Sequence, residues 1–458
     1  MNFREALIYM APEHVLLLGI VVLLVADIVA PRGTRGFGLA LLVVCAAAAA
    51  AVALALSGAT SEPFAGQIRV TPSDFAAKAV VIGLAAPIVL LCADDLAQTR
   101  FFVLAISSLY GACLMLSSDS FLTLFVGFEL MSLPLYVMVL IEGQDARSAE
   151  AALKYLVLGG VASASLLLGA SLVYGSTGSL SFASFTASLA SNDTMALAGV
   201  ALVTVAFFLK AAIVPFHAWA PDAYEGAGVP VTAYMATVVK AAVLLAAVRL
   251  FADRPLEGAL VGLVAILPLA SIVWGNLAAM RQQSFRRMIA YSSIAHAGYL
   301  FYALLGDPPG RYQAVLFYAL AYGVMNVLAF AALPRIAGED RIEALSGLFA
   351  RSPYAAFMIA IAMLSLAGIP PLPGFVAKFL IFKNAMAAGY TTYAVLGLVG
   401  SYLGIYFYLR VIQVMFMKDA EPSRTTGAQR ELAIPACALC LGASLVIGVF
   451  PGWVLGLL

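Results

Sequence analysis

Two lysines, Lys210 and Lys240, lie deep in apolar sequence on either side of a short polar turn that contains Pro215 and His217. A charge at the centre of a bilayer costs about 2.5–3.5 kcal/mol on insertion scales. Two such charges flanking a helix-breaking proline are hard to explain as packing. Glu129, Lys154, His296 and Lys378 also fall inside apolar runs. Lysine, histidine and glutamate can all take up and release a proton. Together they suit proton transfer along a buried polar axis.

Each group has a plainer reading. Glu129 could hydrogen-bond to a neighbouring helix, although its plausible partner is Lys154. Lys154 could snorkel toward the inner surface. His217 and His296 are either relays, suited by an imidazole that titrates near neutrality, or satisfied core histidines. Lys210 and Lys240 face the full cost of burial, which penalises the charged form and favours proton exchange. Pro215 removes a backbone donor and frees a carbonyl one turn earlier, leaving polar backbone near Lys210. Lys378 follows the Ile369-Pro-Pro-Leu-Pro-Gly374 stretch by four residues, where Pro370 and Pro371 break a second helix. Lys78, beside Asp74 near a span end, reads as a snorkelling or i,i+4 surface lysine.

The elements that must position these groups are membrane spans. The 458-residue chain is 63% hydrophobic and 11% charged, with a mean hydropathy of +1.01. This is the composition of a polytopic all-α membrane protein. At about 20 apolar residues per span, fourteen candidate helices fit, in a single membrane domain. Lys and Arg in the loops divide 14 against 6, counting Arg32, Arg335, Arg424 and Arg430 inside and Arg254 outside. The positive-inside rule then puts both termini outside. The motif Ala211-x-Ile213-x-Pro215 recurs as Ala367-x-Ile369-x-Pro371, 156 residues later. That offset spans five helices, and an odd number makes the two copies inverted. The expected divisions are 1–97 for helices 1–3, 98–251 for the first copy, 252–417 for the second and 418–458 for helix 14.

Other functions are excluded or disfavoured. The loops are too short for a catalytic head. No Gly-rich nucleotide loop or metal-ligand cluster is present, so redox or nucleotide chemistry must sit on partner chains. The net charge of +1 without a basic cluster gives no handle for nucleic acid. Of five cysteines, Cys437 and Cys440 form a Cys-x-x-Cys inside an apolar run and read as plain buried thiols. Gly400-Ser-Tyr-Leu-Gly404 has the small-xxx-small spacing of close helix packing. The first residues lack a cleavable signal pattern, so Met1 onward reads as mature protein.

Several stretches carry a resemblance. They are Glu-Leu-Met-Ser-Leu-Pro-Leu-Tyr at 129–136, Glu-Ala-Ala-Leu-Lys-Tyr at 150–155 and Pro-Phe-His-Ala-Trp-Ala-Pro-Asp-Ala-Tyr-Glu-Gly at 215–226. Tyr-Ser-Ser-Ile-Ala-His-Ala-Gly-Tyr at 291–299 and Leu-Ser-Leu-Ala-Gly-Ile-Pro-Pro at 364–371 add to them. The chain resembles the antiporter-like membrane subunits of proton-pumping NADH:quinone oxidoreductase, respiratory complex I. Ser-Leu-Pro-Leu-Tyr after the glutamate, the Pro-Asp-x-Tyr-Glu-Gly turn and lysine at 378 are similar to the N-type members.

The resemblance implies fourteen helices with two inverted five-helix repeats, helices 7 and 12 being broken. It implies that Glu129 and Lys154 form a charge pair that tunes Lys210, and that Lys240 and His296 connect Lys210 to Lys378. The lack of a targeting segment and the frequent Ala and Arg suggest a bacterial inner membrane, where the charge bias makes both termini periplasmic. NAD, FMN, iron–sulfur clusters and quinone would be handled by partner subunits. Expected membrane partners are the M-type antiporter-like subunit and the small subunits K, J and A. The alternative is a membrane subunit of a multisubunit Na+/H+ antiporter, and a structural scaffold is a third reading.

Overall fold

Inside a bilayer every backbone polar group must be satisfied within its own segment, so the apolar runs become helices. A computed structural model describes residues 3–29, 35–95, 99–143, 146–189, 191, 193–251, 256, 258–334, 340–419 and 432–458. Arg32, Arg254, Arg335, Arg424 and Arg430, used in the charge count, lie outside the described residues.

Twelve helices among the described residues are long and apolar enough to span a membrane. The pair Ala433–Val449 and Pro451–Leu457, bent by 101°, brings the number to thirteen. The expected fourteenth is the broken span: Pro353–Ala367 and Pro373–Ala387 have 15 residues each, too short to count alone. Length thus accounts for the difference from fourteen. The helices Val229–Leu250, Phe285–Leu305 and Gly310–Ala331 form the centre, with 94–100% of their apolar windows buried. They carry Lys240 and His296. The helices Ala11–Val29 and Gly36–Leu56 lie at the edge, with only 22–28% buried. An antiparallel pair of short strands, Ser61–Phe64 and Ile68–Val70, folds the loop that follows them.

The recurring motif marks two matching helix breaks. The Thr194–Ala211 helix ends at Ala212, a non-glycine residue in the left-handed region at φ 61°. The N–H groups of Ala212 and Ile213 donate to the carbonyls of Leu209 and Phe208 at 3.3 and 2.9 Å. The Pro353–Ala367 helix ends at Gly368, φ 89°. Gly368 and Ile369 donate to Ser365 and Leu364 at 2.9 and 3.1 Å. Every partner recurs 156 residues later. The pattern satisfies the last carbonyls of each helix before proline prevents its continuation.

A second correspondence lies in the loops. Phe121 and Phe182 donate to the carbonyls of Leu180 and Asp119, just as Phe285 and Ile342 donate to those of Asp340 and Gln283. A third is a backbone contact between paired helices. A Cβ on Gly111 would sit 2.3 Å from the Met131 nitrogen, and one on Gly275 would sit 2.8 Å from the Ala295 nitrogen. Both glycines let neighbouring helices touch main chain to main chain. Gly111→Ala is therefore expected to destabilise the chain by about 1–3 kcal/mol, the usual cost of overpacking. Thermal unfolding of the purified complex checks this; an unchanged transition would show that the two helices have room to part.

Candidate functional site

Lys210 is the penultimate residue of the Thr194–Ala211 helix, two residues before the break at Ala212, and is 3% exposed. Its ammonium lies 4.5 Å from the centre of the Phe128 ring and 3.5 Å from the Tyr136 hydroxyl. Among the described residues no carboxylate is within ion-pair distance. Aromatic faces and one phenol thus replace a counter-ion, a weaker compensation. Glu129 lies on the same helix as Phe128 and Tyr136. Its own Oε1 accepts a short hydrogen bond from Ser163.

Lys154 does not pair with Glu129. The Ala146–Thr177 helix presents Ser163, not Lys154, to the glutamate. Nine residues at 1.5 Å per residue set Lys154 about 13.5 Å along the axis from that level. Its Nζ instead lies 2.7 Å from both Glu150 and Asp222. Asp222 also meets Arg287 at 2.7 Å, and Arg287 meets Glu225 at 3.0 Å. The result is a half-exposed charge cluster joining the Ala146–Thr177 helix, the Trp219–Gly226 helix and the start of the Phe285–Tyr302 helix.

Lys240 follows a π-helical turn, Met235–Val239, and is 4% exposed. A π turn widens the helix and often marks a functional position. Its ammonium donates to the Ser293 hydroxyl at 2.5 Å and to the Ser293 carbonyl at 2.9 Å. The adjacent Ser292 hydroxyl lies 2.5 Å from that of Tyr408. Tyr408 in turn lies 3.2 Å from His296 Nε2, and the Tyr318 hydroxyl is 2.8 Å from Nδ1. Both ring nitrogens of His296 therefore face phenols. The ring of Tyr299 packs edge-on against His296 at 5.5 Å and lies under the Lys378 ammonium at 5.1 Å. Lys378 donates to the carbonyls of Leu366 and Ala367 and to the Ser401 hydroxyl, at 3.0–3.1 Å. The second break thus supplies its freed carbonyls to a lysine. At the first break no lysine does this among the described residues; there the Trp219 Nε1 donates to the Leu209 carbonyl at 2.8 Å.

The structure links His296 to Lys378 through the Tyr299 ring and sets Lys240 on Ser293, the chain neighbour of the Ser292 that contacts Tyr408. It leaves His217 apart: its Nε2 accepts from Trp274 at 3.1 Å, and no hydrogen bond among the described residues ties it to a lysine. Pro215 is exposed beside it, and Pro370 and Pro371 occupy the second break. Lys78 is not a surface lysine. It is fully buried and lies 2.6 Å from Glu13, while Asp74 pairs with Arg249. Glu13, in the first span after Pro12, was the available sign of that pair. The phenols at 136, 299, 318 and 408 escaped sequence reasoning because tyrosine is common at helix surfaces and carries no burial penalty that singles it out.

Outside the spans, Asp222 is partly buried, which raises its carboxyl. Hydrogen bonds and charge from Lys154 and Arg287 outweigh this and hold it below the usual carboxylate range. A depressed carboxyl contributes stability that is full above its unfolded pKa and lost as pH falls through its folded one. The melting-temperature advantage of the native chain over Asp222→Asn should persist at neutral pH and shrink below about pH 4. An advantage independent of pH would deny Asp222 its charged role.

Comparison with known proteins follows the same lines. The family described as NADH:quinone oxidoreductase/Mrp antiporter, TM, matches residues 118–404. NADH-quinone oxidoreductase subunit N of Pelobacter propionicus is 40% identical over 411 residues, 90% of this chain and 89% of that one. A chain of respiratory complex I from Thermus thermophilus with bound Aureothin superposes with a TM-score of 0.83 at 34% identity, covering 97% of this chain and 98% of that one. A chain of the Mrp complex from Dietzia sp. DQ12-45-1b shares the fold, with a TM-score of 0.88 at 24% identity over 100% of this chain and 96% of that one. Over most of its length, with both breaks inside the match, the chain belongs to the NADH:quinone oxidoreductase/Mrp antiporter family of membrane subunits.

Proposed function

We propose that the chain is the N-type, proton-translocating membrane subunit of a bacterial NADH:quinone oxidoreductase. The observation that carries this reading is the set of three buried lysines, Lys210, Lys240 and Lys378, held by hydroxyls, carbonyls and aromatic rings instead of carboxylates. Such lysines can be charged and discharged without breaking an ion pair. Glu129 modulates Lys210 by its charge, which a low-dielectric interior transmits with little screening. Lys154 and its cluster set the field from the inner side, and Lys240 and His296 lead toward Lys378. His217 serves as a lining group at the first break.

In this reading the chain is a translocase component. NAD, FMN, iron–sulfur and quinone chemistry belongs to partner subunits, and charge movement here follows quinone reduction there. The neighbours are the M-type subunit and the small membrane subunits K, J and A, in the cell inner membrane, with both termini periplasmic. Residues 98–251 and 252–417 are the two inverted copies, supported by the matched breaks, loop ties and glycine contacts.

Lys210→Ala and Glu129→Ala are each expected to assemble into the complex, to lower protons pumped per NADH oxidised, and to slow coupled quinone reduction several-fold. Proton uptake by proteoliposomes holding the purified complex measures both. Unchanged ratios in fully assembled variants would remove the assigned roles, and sodium-dependent exchange without NADH-linked activity would favour the antiporter.

A further inference from the structure

The contacts above leave a gap between Lys210 and the connected groups at Lys240, His296 and Lys378. We propose that the hydroxyls of Tyr136, Tyr155 and Tyr224 carry the proton from Lys210 to Lys240, with Tyr155 as the middle member. This rests on the translocation reading and names its path.

Both ends of the path are bonded. The Lys210 ammonium reaches the Tyr136 hydroxyl at 3.5 Å. At the other end the Tyr224 hydroxyl lies 3.3 Å from that of Ser293, which the Lys240 ammonium contacts at 2.5 Å. Tyr155 stands between them. Its ring meets Tyr136 edge-on at 4.7 Å and stacks on Trp219 at 4.5 Å with an 8° interplanar angle. Trp219 belongs to the short helix Trp219–Gly226 that also carries Tyr224, so the stack seats Tyr155 on the element of the next member.

Two further features are unexplained by packing alone. Tyr155 is 1% exposed, and its hydroxyl has no hydrogen-bond partner among the described residues. An orphaned buried hydroxyl is unfavourable, and phenylalanine would give the same ring contacts without it. Gly159, one turn along the same helix, leaves the place that the Tyr136 hydroxyl occupies. A Cβ there would fall 2.0 Å from that oxygen. Gly159 is thus a positioning residue for the first step. Trp219 fixes the stack to the helix end that carries Lys210, through its bond to the Leu209 carbonyl.

A hydroxyl both donates and accepts, so the transfer balances without a lasting ion on the path. The Lys210 ammonium gives up one proton. Each hydroxyl accepts a proton on oxygen as it passes its own onward, through Tyr136, Tyr155, Tyr224 and Ser293. The neutral Lys240 amine takes the last. Where two hydroxyls stand farther apart than a hydrogen bond, one water carries the step. No electrons move.

The test uses Tyr155→Phe and Tyr224→Phe in the intact complex, with Lys210→Ala as the reference. Protons pumped per NADH and melting temperature are measured on the same preparations. Tyr155→Phe should lower pumping to the level of Lys210→Ala while its melting temperature stays level or rises, a combination that a packing role does not produce. Tyr224→Phe should show the same loss of pumping. Gly159→Ala should also lower pumping, and should add no loss to Tyr136→Phe, which lacks the clashing oxygen. Native pumping by Tyr155→Phe beside a deficient Lys210→Ala would overturn the relay and leave translocation standing. Native pumping by both would overturn translocation and the relay with it.

Discussion

A lysine inside a membrane needs compensation, and the kind of compensation decides what it can do. The chain shows both kinds. Lys78 is locked 2.6 Å from Glu13, each fully buried, and removing either partner would strand the other's charge. Lys210, Lys240 and Lys378 are held by phenol, hydroxyl and carbonyl oxygens. These ligands accept hydrogen bonds from an ammonium, and the hydroxyls can equally donate to an amine. Among the described residues, no carboxylate lies within ion-pair distance of these three lysines.

Of the two helix breaks, the second supplies two of those oxygens, the carbonyls of Leu366 and Ala367 beside Lys378. Each leaves carbonyls at the end of a half-helix, where the dipole favours a cation. The two breaks share backbone pattern and spacing but differ in what covers the freed carbonyls. At the first, among the described residues, no lysine reaches them, and Lys210 faces aromatic rings and the Tyr136 hydroxyl. Lys378 itself takes Leu366 and Ala367 at the second. Gly368 belongs to this arrangement, because a Cβ there would sit 3.2 Å from the Lys378 side chain. The two matching breaks thus give their lysines different surroundings.

The fold was legible because its signals are compositional and periodic. Long apolar runs gave the spans, and the Ala-x-Ile-x-Pro recurrence bracketed both breaks, whose turns fall at Ala212 and Gly368, three residues before Pro215 and Pro371. The buried lysines were legible because each violates the apolar pattern around it. Partners were not, because a helix sequence does not state which face meets which neighbour. Glu129 and Lys154 look like a pair from their types alone, yet the helix presents Ser163 at the glutamate and Lys154 near the surface. Lys78 erred in the opposite direction: closeness to Asp74 in sequence suggested the surface, while packing brought Glu13 from another helix. Tyrosines are the hardest to read, since the same residue serves as core, interface or relay.

The contrast between locked and unlocked lysines also gives the charge cluster at Lys154 its meaning. Lys154 sits where solvent screens its pairs, so Glu150, Asp222 and Arg287 share charge that can be redistributed at low cost. Lys210 sits where screening is weak and any change of field is felt strongly. The Trp219–Gly226 helix connects the two regions directly. It carries Asp222 into the cluster, Trp219 onto the Lys210 helix end, and Tyr224 toward Ser293. A shift of charge at the cluster would pull on this short helix, and thereby on the groups around Lys210 and Lys240. One element therefore ties the exposed charges to both buried lysines, so a pairing change at the surface can reach them by geometry as well as by field.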